Sequence, residues 1–194
     1  YRAGIFPWFS DNQPILWWSP DPRTLLFPER LHVSRSLRKS LRRQTCHVTF
    51  DTAFEEVIRH CAVTPRTGQN GTWITNEMLH AYCELHRQGH AHSVEVWHGD
   101  ELAGGLYGVA IGAAFYGESM FSHRRDASKI ALVKLVDKLA AAGFLFIDCQ
   151  VVTDHLLSLG AETVDRTAFL RINRQAVGTA VRIDWKQTGE TNPQ

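Results

Sequence analysis

Residues 104–166 read GGLYGVAIGAAFYGESMFSHRRDASKIALVKLVDKLAAAGFLFIDCQVVTDHLLSLGAETVDR, and this stretch decides the fold. Two strand-forming runs, 113–116 and 144–147, flank one helix-forming segment. In that segment Leu132, Leu135, Val136 and Leu139 recur at three- and four-residue spacing, the pattern of a helix with one buried face. Asp126 stands where an N-cap carboxylate would accept the first free backbone N–H groups, and Gly143 stands where the helix must stop. Polar residues follow each strand run. They are Gly117-Glu118-Ser119-Met120-Phe121-Ser122 after the first and Asp148-Cys149-Gln150 after the second. The order is therefore strand, loop with a carboxylate, helix, strand, carboxylate. Folds of mixed α/β type gather reactive groups at the ends of neighbouring strands. Strand alternation points Asp148 and Gln150 to one face and Cys149 to the other. On spacing alone, Glu118 and Asp148 serve equally well as turn and cap residues or as reacting groups.

The rest of the chain bounds what this stretch can do. A length of 194 residues fits one substantial domain, alone or with a small appendage. With 44% hydrophobic residues a sizeable core can form. The net charge of +1 points to neither a nucleic-acid nor a membrane partner, so any such signal must be local. Cys46, Cys61, Cys83 and Cys149 form no CxxC pair, which favours reduced thiols over a disulfide frame or a zinc site. No run reaches the roughly 18 apolar residues of a membrane span, and no signal peptide is recognisable. A cytoplasmic protein without a membrane partner is expected. The chain starts at Tyr1, without a methionine and within a motif, and so reads as a fragment of a longer product.

Local signals fill in the order. Residues 1–28 are rich in tryptophan and proline, which predicts short strands and turns laid on a neighbouring surface. Trp17 and Trp18 are expected in the core. Trp8, followed by the turn-like Ser10-Asp11-Asn12, is expected at an edge where a base can stack. Residues 30–50 contain no acidic side chain, and Leu37 and Leu41 can turn inward on a short helix while Arg35, Arg38, Lys39, Arg42 and Arg43 face out. Such a face is either plain solvated surface or a phosphate-binding cluster, and its contrast with the net acidic remainder favours RNA. Asp51 or Thr52 is expected to cap a helix reaching Cys61, and residues 64–71 form a polar loop. Thr75 caps a second helix with Leu79, Tyr82 and Leu85 on one face, ended by Gly89. Trp73, just before it, suits core packing or base stacking equally. His90 and His92 form an H-x-H with no third ligand at suitable spacing, so no metal is expected. His98-Gly99-Asp100-Glu101 reads as a hairpin turn, and Gly104, Gly105 and Gly108 mark a bulge or bend in the return strand. A short helix with Leu156, Leu157 and Leu159, a final edge strand over 163–170 and a disordered end over 188–194 complete the reading.

Several of these words occur together in one family. Gly117-Glu118-Ser119-Met120-Phe121-Ser122, Ala127-Ser128-Lys129, Ile147-Asp148-Cys149-Gln150 and the DHLxSLGA run before Arg166 resemble the leucyl/phenylalanyl-tRNA–protein transferases. So do the opening Gly4-Ile5-Phe6-Pro7-Trp8-Phe9, the run ILWWSPDPR ending at Arg23, and Gly71-Thr72-Trp73-Ile74-Thr75. The similarity runs in order over residues 1 to about 170.

The resemblance implies a GNAT-like acyltransferase fold of α/β (α+β) class with a small, truncated N-terminal segment. Residues 1–24 would be the remnant of a smaller N-terminal domain and 25–194 the aminoacyltransferase domain. The predicted element order is itself that of an α/β sandwich of acyltransferase type. Residues 121–127, where a coenzyme A pyrophosphate would need a glycine-rich turn, hold no glycine, so coenzyme A is disfavoured and no cofactor is expected. The implied donor is aminoacyl-tRNA charged with Leu or Phe, or Met. The implied acceptor is a protein or peptide with N-terminal Arg or Lys, which is thereby marked for degradation. By resemblance, Asp148 polarises and orients Gln150, which contacts the reacting amine or carbonyl. Glu118 holds either the acceptor's cationic side chain or the donor's α-ammonium. Leu106, Phe115, Met120, Leu132, Leu139 and Ile147 line the amino-acid pocket. Trp8 and Trp73 lie near the terminal adenosine, and Arg35, Lys39, Arg42 and Arg43 bind tRNA. Thr153 stands where the family often has Asn, and no role is carried over to it. Two other readings are a FemX-type transferase acting on a cell-wall peptide and a non-catalytic tRNA-binding module. The joint presence of Glu118, Asp148 and Gln150 argues against the module.

Overall fold

The computed structural model describes residues 1–9, 13–43, 46–64 and 73–186. The turn expected at 10–12, the loop expected over 64–71 (save Thr64) and the tail expected over 188–194 lie outside the described residues. The strands are β1 (Phe6–Pro7), β2 (Trp17–Trp18), β3 (Arg23–Leu26), β4 (His47–Phe50), β5 (Ala91–His98), β6 (Glu101–Ile111), β7 (Ala114–Ser122), β8 (Phe146–Gln150) and β9 (Glu162–Val164). The helices are α1 (Arg35–Arg42), α2 (Phe54–Val63), α3 (Asn76–Arg87), α4 (Ala127–Ala141), α5 (Asp154–Ser158) and α6 (Arg166–Gly178).

Seven strands form one sheet in the order β4-β5-β6-β7-β8-β3-β9, and β1 pairs with β2 separately. Every neighbouring pair in the large sheet is antiparallel except β7 and β8, which run parallel and are joined through α4. Helices cover both faces. Leu106, Phe115 and Ile147 pack with Leu132, Leu135, Val136 and Leu139 of α4 and with Leu37 of α1. Their strand neighbours Tyr107, Tyr116 and Phe146 point the other way, against Phe54 and Val57 of α2, Leu79 and Tyr82 of α3 and Phe169 of α6. A strand buried on both faces cannot alternate apolar with polar, which explains its continuous apolar run.

The leucine stripe of α4 is buried as its spacing requires. Thr75 caps α3, its hydroxyl accepting from the Met78 amide, and Gly89 beyond the helix takes φ +76°. The hairpin at 98–101 forms, with Gly99 at φ +61°. One bulge falls in β6 at Ala103, beside Gly104, and a second in its partner β7, opposite the step from Tyr107 to Gly108. At Gly108 a side chain would run into the Tyr116 carbonyl and the Phe115 ring, so only glycine fits.

Other expectations are corrected. β7 extends to Ser122, so Glu118 lies within a strand and not in a loop. The register passes from Tyr107–Ser119 to Gly108–Gly117, leaving Glu118 as the extra residue of a bulge. Asp126 precedes α4 but caps nothing: it holds φ +64°, and its carboxylate accepts from Ser40 Oγ at 2.8 Å. Neither Asp51 nor Thr52 caps α2, whose N-cap is Ala53: the Asp51 carboxylate is bonded to His92 Nδ1 at 2.7 Å and to the Ser93 amide at 2.9 Å, and Thr52 Oγ1 donates to Glu95 Oε2 at 3.0 Å. Trp17 and Trp18 are exposed, not core, since β2 pairs only with the two-residue β1. β3 is an interior strand despite the surrounding prolines, which flank its four buried residues without entering them. The last strand is only Glu162–Val164, because Asp165 accepts the Ala168 amide at 2.7 Å and starts α6.

Candidate active site

The parallel pairing of β7 and β8 ends at Tyr116–Asp148. Beyond that point Glu118 and Met120 continue on one strand, and Cys149 and Gln150 on the other. A cavity of about 300 Å³ adjoins them, lined by Leu106, Phe115, Met120, Leu132, Leu135 and Ile147 as apolar wall. Trp8, Trp73, Glu118 and Gln150 line it too, with Cys149, Thr153 and His155. Five of the six expected pocket residues are therefore brought together. Leu139 is not among them; it lies two turns along α4 from Leu132, fully buried in the core.

Glu118 is the polar centre. The Tyr1 hydroxyl donates to its Oε1 at 2.7 Å and the Tyr82 hydroxyl to its Oε2 at 2.7 Å. The two phenolic oxygens are themselves 2.7 Å apart. Burial pushes the Glu118 carboxyl up to about 7, against the opposing pull of the two tyrosine hydrogen bonds. Burial and the neighbouring Glu118 also push both phenols well above their ordinary value, so both remain hydrogen-bond donors. Neither role is legible in the sequence. Tyr82 stands there only as part of an apolar helix face, although a buried tyrosine hydroxyl needs a partner.

Gln150 reaches the same centre, with its Nε2 3.5 Å from Glu118 Oε1. Its backbone holds φ +60°, which breaks strand alternation. Cys149 and Gln150 consequently both line the cavity, and the expectation that Cys149 faces away is corrected. Asp148 does not line it. Its carboxylate is fully buried, paired with Arg23 through Nε at 2.8 Å and Nη2 at 2.6 Å. It meets Gln150 through the backbone, Oδ1 accepting the Gln150 amide at 2.9 Å. In the sequence Arg23 is only the end of a motif, although an arginine beside Leu25 and Leu26 in a strand demands a buried partner.

The tryptophans lie at the cavity as well. Trp8 is partly exposed, and Trp18 supports it, donating from Nε1 to the Trp8 carbonyl at 2.6 Å with the rings 5.8 Å apart. Trp73 packs edge-on against Tyr82 at 6.4 Å. Arg35, Lys39, Arg42 and Arg43 are all exposed, on α1 and its C-cap, and none lines the cavity. Leu37 turns inward from the same helix, whose N-cap Ser34 accepts the Leu37 amide. The H-x-H histidine His92 is held by Asp51 and stacks on Trp185 at 3.9 Å. Among the described residues no three His, Cys, Asp or Glu side chains are grouped to hold a metal.

The family described as leucyl/phenylalanyl-tRNA protein transferase matches residues 25–174, and the N-terminal domain of that family matches residues 1–21. A protein named leucyl/phenylalanyl-tRNA–protein transferase from Pseudomonas syringae pv. syringae (strain B728a) is 57% identical over 185 residues, covering 95% of this chain and 80% of its own. One of the same name from Chromobacterium violaceum is 59% identical over 177 residues, 91% of this chain and 76% of its own. Another, from Anaeromyxobacter sp. (strain K), is 55% identical over 194 residues, 100% of this chain and 83% of its own. A solved structure of a conserved protein of unknown function from Bacteroides thetaiotaomicron VPI-5482 is 11% identical over 83% of this chain and 57% of its own, with a TM-score of 0.49, too distant to bear on fold or function.

Proposed function

The chain belongs to the leucyl/phenylalanyl-tRNA–protein transferase family, and on that premise we propose that it moves leucine or phenylalanine from aminoacyl-tRNA to the N-terminus of acceptor proteins. The observation that carries this reading is the cavity itself. Its wall at Leu106, Phe115, Met120, Leu132 and Ile147 is apolar, while a carboxylate and an amide meet at Glu118 and Gln150. An apolar amino-acid side chain fits the first part and a reacting ester the second.

The aminoacyl ester is already activated, so the step is an aminolysis. The acceptor's α-amine attacks the ester carbonyl and forms a C–N bond. The C–O bond to the ribose breaks, and the proton lost by the amine ends on the departing hydroxyl. An α-amine titrates at about 7.7–8.0, so a useful fraction is neutral near pH 7. The protein's contribution is then mainly positioning. Gln150, a neutral amide and a very weak base, orients the reacting groups by hydrogen bonding. Glu118 receives a cation, either the side chain of an N-terminal Arg or Lys or the donor's α-ammonium. Trp8 and Trp73 offer ring faces to the terminal adenine. The exposed cations of α1 take the tRNA backbone by charge, without reading sequence. We place this chemistry on a GNAT-like domain and in the cytoplasm, as a step that marks proteins for degradation. No helix among the described residues is long and apolar enough to cross a membrane.

The test incubates the protein with labelled leucyl-tRNA and peptides beginning with Arg, Lys or Ala. Label transferred to the Arg and Lys peptides alone is the expected result. Transfer to a cell-wall peptide in their place identifies a FemX-type activity, and tRNA binding without transfer identifies a binding module.

A further inference from the structure

Arg23 is fully buried, and each nitrogen of its guanidinium is engaged. Nε and Nη2 take the two oxygens of Asp148, and Nη1 donates to the Gly4 carbonyl at 3.2 Å. The rings of Phe6 and Phe169 lie 4.8 and 4.3 Å from its Cζ. Stability alone is a poor reason for such a pair. Two charges lose their hydration on burial, and well-packed apolar residues often serve as well or better.

The geometry supplies another reason. Asp148 Oδ1, the oxygen that accepts Arg23 Nε, also accepts the backbone N–H of Gln150. Gln150 sits at φ +60°, a conformation that side chains other than glycine rarely adopt without a constraint. Held there, its amide faces Glu118 at the cavity. We propose that Arg23 is a positioning residue for aminoacyl transfer: by gripping both oxygens of Asp148 it locks the backbone turn that presents the Gln150 amide to the reacting groups. Asp148 is then an ionised anchor and not a proton acceptor. Lysine cannot replace Arg23, because a single ammonium does not reproduce the two parallel hydrogen bonds of the guanidinium fork. The assignment rests on the transferase reading above.

The experiment measures single-turnover transfer from leucyl-tRNA to an Arg-initiated peptide for wild type, Arg23→Lys, Asp148→Asn and the Arg23→Lys/Asp148→Asn pair. Thermal unfolding and tRNA affinity are followed alongside. Arg23→Lys keeps the buried charge. It is expected to unfold cooperatively and to bind tRNA within about twofold of wild type, while transferring at least about tenfold more slowly with unchanged KM for the peptide. The double variant is expected to be no slower than the slower single, since residues acting as one unit do not add. Folded Arg23→Lys with wild-type turnover, or losses that multiply, overturn the assignment while leaving the transferase reading intact. An inert wild type overturns both. If the variants do not fold, amide exchange in the wild type decides. A Gln150 amide as protected as those of β8 supports the clamp, and exchange at a loop rate overturns it.

Discussion

The Tyr82 hydroxyl donates to Glu118 Oε2 at 2.7 Å, while the Tyr1 hydroxyl donates to the other oxygen at the same distance. Both hydroxyls are neutral, and their hydrogen bonds lower the carboxyl's value less than burial, helped by the Asp148 charge, raises it. That is why burial prevails and the carboxyl rises to about 7. The site thus holds a group that a cationic substrate can switch to its ionised form, since an incoming guanidinium or ammonium pulls the same value down.

This makes stability depend on pH in a definite direction. The folded-state value lies above the ordinary one of 4.5, so the folded protein binds this proton more tightly than the unfolded chain does. The contribution is fully present below about 4.5 and is lost as pH rises through about 7. At about 1.4 kcal/mol per pKa unit the loss is roughly 3–4 kcal/mol. Glu118→Gln cannot titrate. Its melting temperature relative to wild type should therefore climb by several degrees between pH 5 and pH 8. A difference that stays flat over this range would show that Glu118 does not titrate there.

On the proposed reading, the apolar wall sets donor choice. Leu132→Phe narrows the cavity from α4 and should reject phenylalanine more than leucine. Phe115→Ala should reduce transfer of both together, and because Phe115 is fully buried it should also lower stability by about 3–5 kcal/mol. Apolar pockets discriminate by only about 1–3 kcal/mol per methylene, so the shift in the leucine-to-phenylalanine ratio should be partial. Competition between the two charged tRNAs gives that ratio. An unchanged ratio in both variants returns these side chains to the ordinary core.

The cations of α1 should act on tRNA alone. Reversing two of Arg35, Lys39, Arg42 and Arg43 should weaken tRNA binding and flatten its salt dependence by about one unit of slope for each phosphate left unneutralised. Transfer from a minimal aminoacyl-adenosine donor should survive, because none of the four lines the cavity. Equal loss with both donors would indicate damage to the fold instead.

These tests depend on how far local pattern reaches. The α4 stripe, the Thr75 cap and the hairpin at Gly99 were legible because each is settled within about one turn of chain. Glu118 was legible as a carboxylate close to a strand end but not as a strand residue. Its strand is fixed by β6, whose glycines place the bulge, and pairing across the sheet is invisible to a short window. Asp126 and Asp51 have the right residue type in the right place for caps. Ser40 and His92 take their carboxylates through contacts distant in sequence. Trp17 and Trp18 failed for a related reason, since hydrophobicity indicates a tendency to bury but not which surface is available. Gln150 shows the limit most clearly. Strand alternation assigns it a face, and only the Asp148 carboxylate, itself fixed by Arg23 from 125 residues away, turns it out of alternation.

That dependence leads to the prediction that tests the chemistry of this strand end. Gln150→Ala removes the amide and leaves the Arg23–Asp148 pair in place, so stability should change little while turnover falls by about a hundredfold. Asp148→Asn should lower turnover for a different reason, the loosened Gln150 backbone. It should also destabilise the protein by about 3–5 kcal/mol, because the Arg23 charge is left buried without its partner. Both variants should bind tRNA nearly as wild type does, since neither residue lies on the basic helix. Combining them should cost little more turnover than the poorer single. The pH profile separates anchor from base. If Asp148 accepted the amine's proton, the Asp148→Asn deficit would shrink as pH rises and more of the acceptor amine is already neutral. With Asp148 committed to Arg23, the deficit should stay constant from pH 6.5 to about 8.5, across the titration of the α-amine. Single-turnover rates over that range measure it directly. Normal turnover in both single variants would place the reacting groups elsewhere in the cavity.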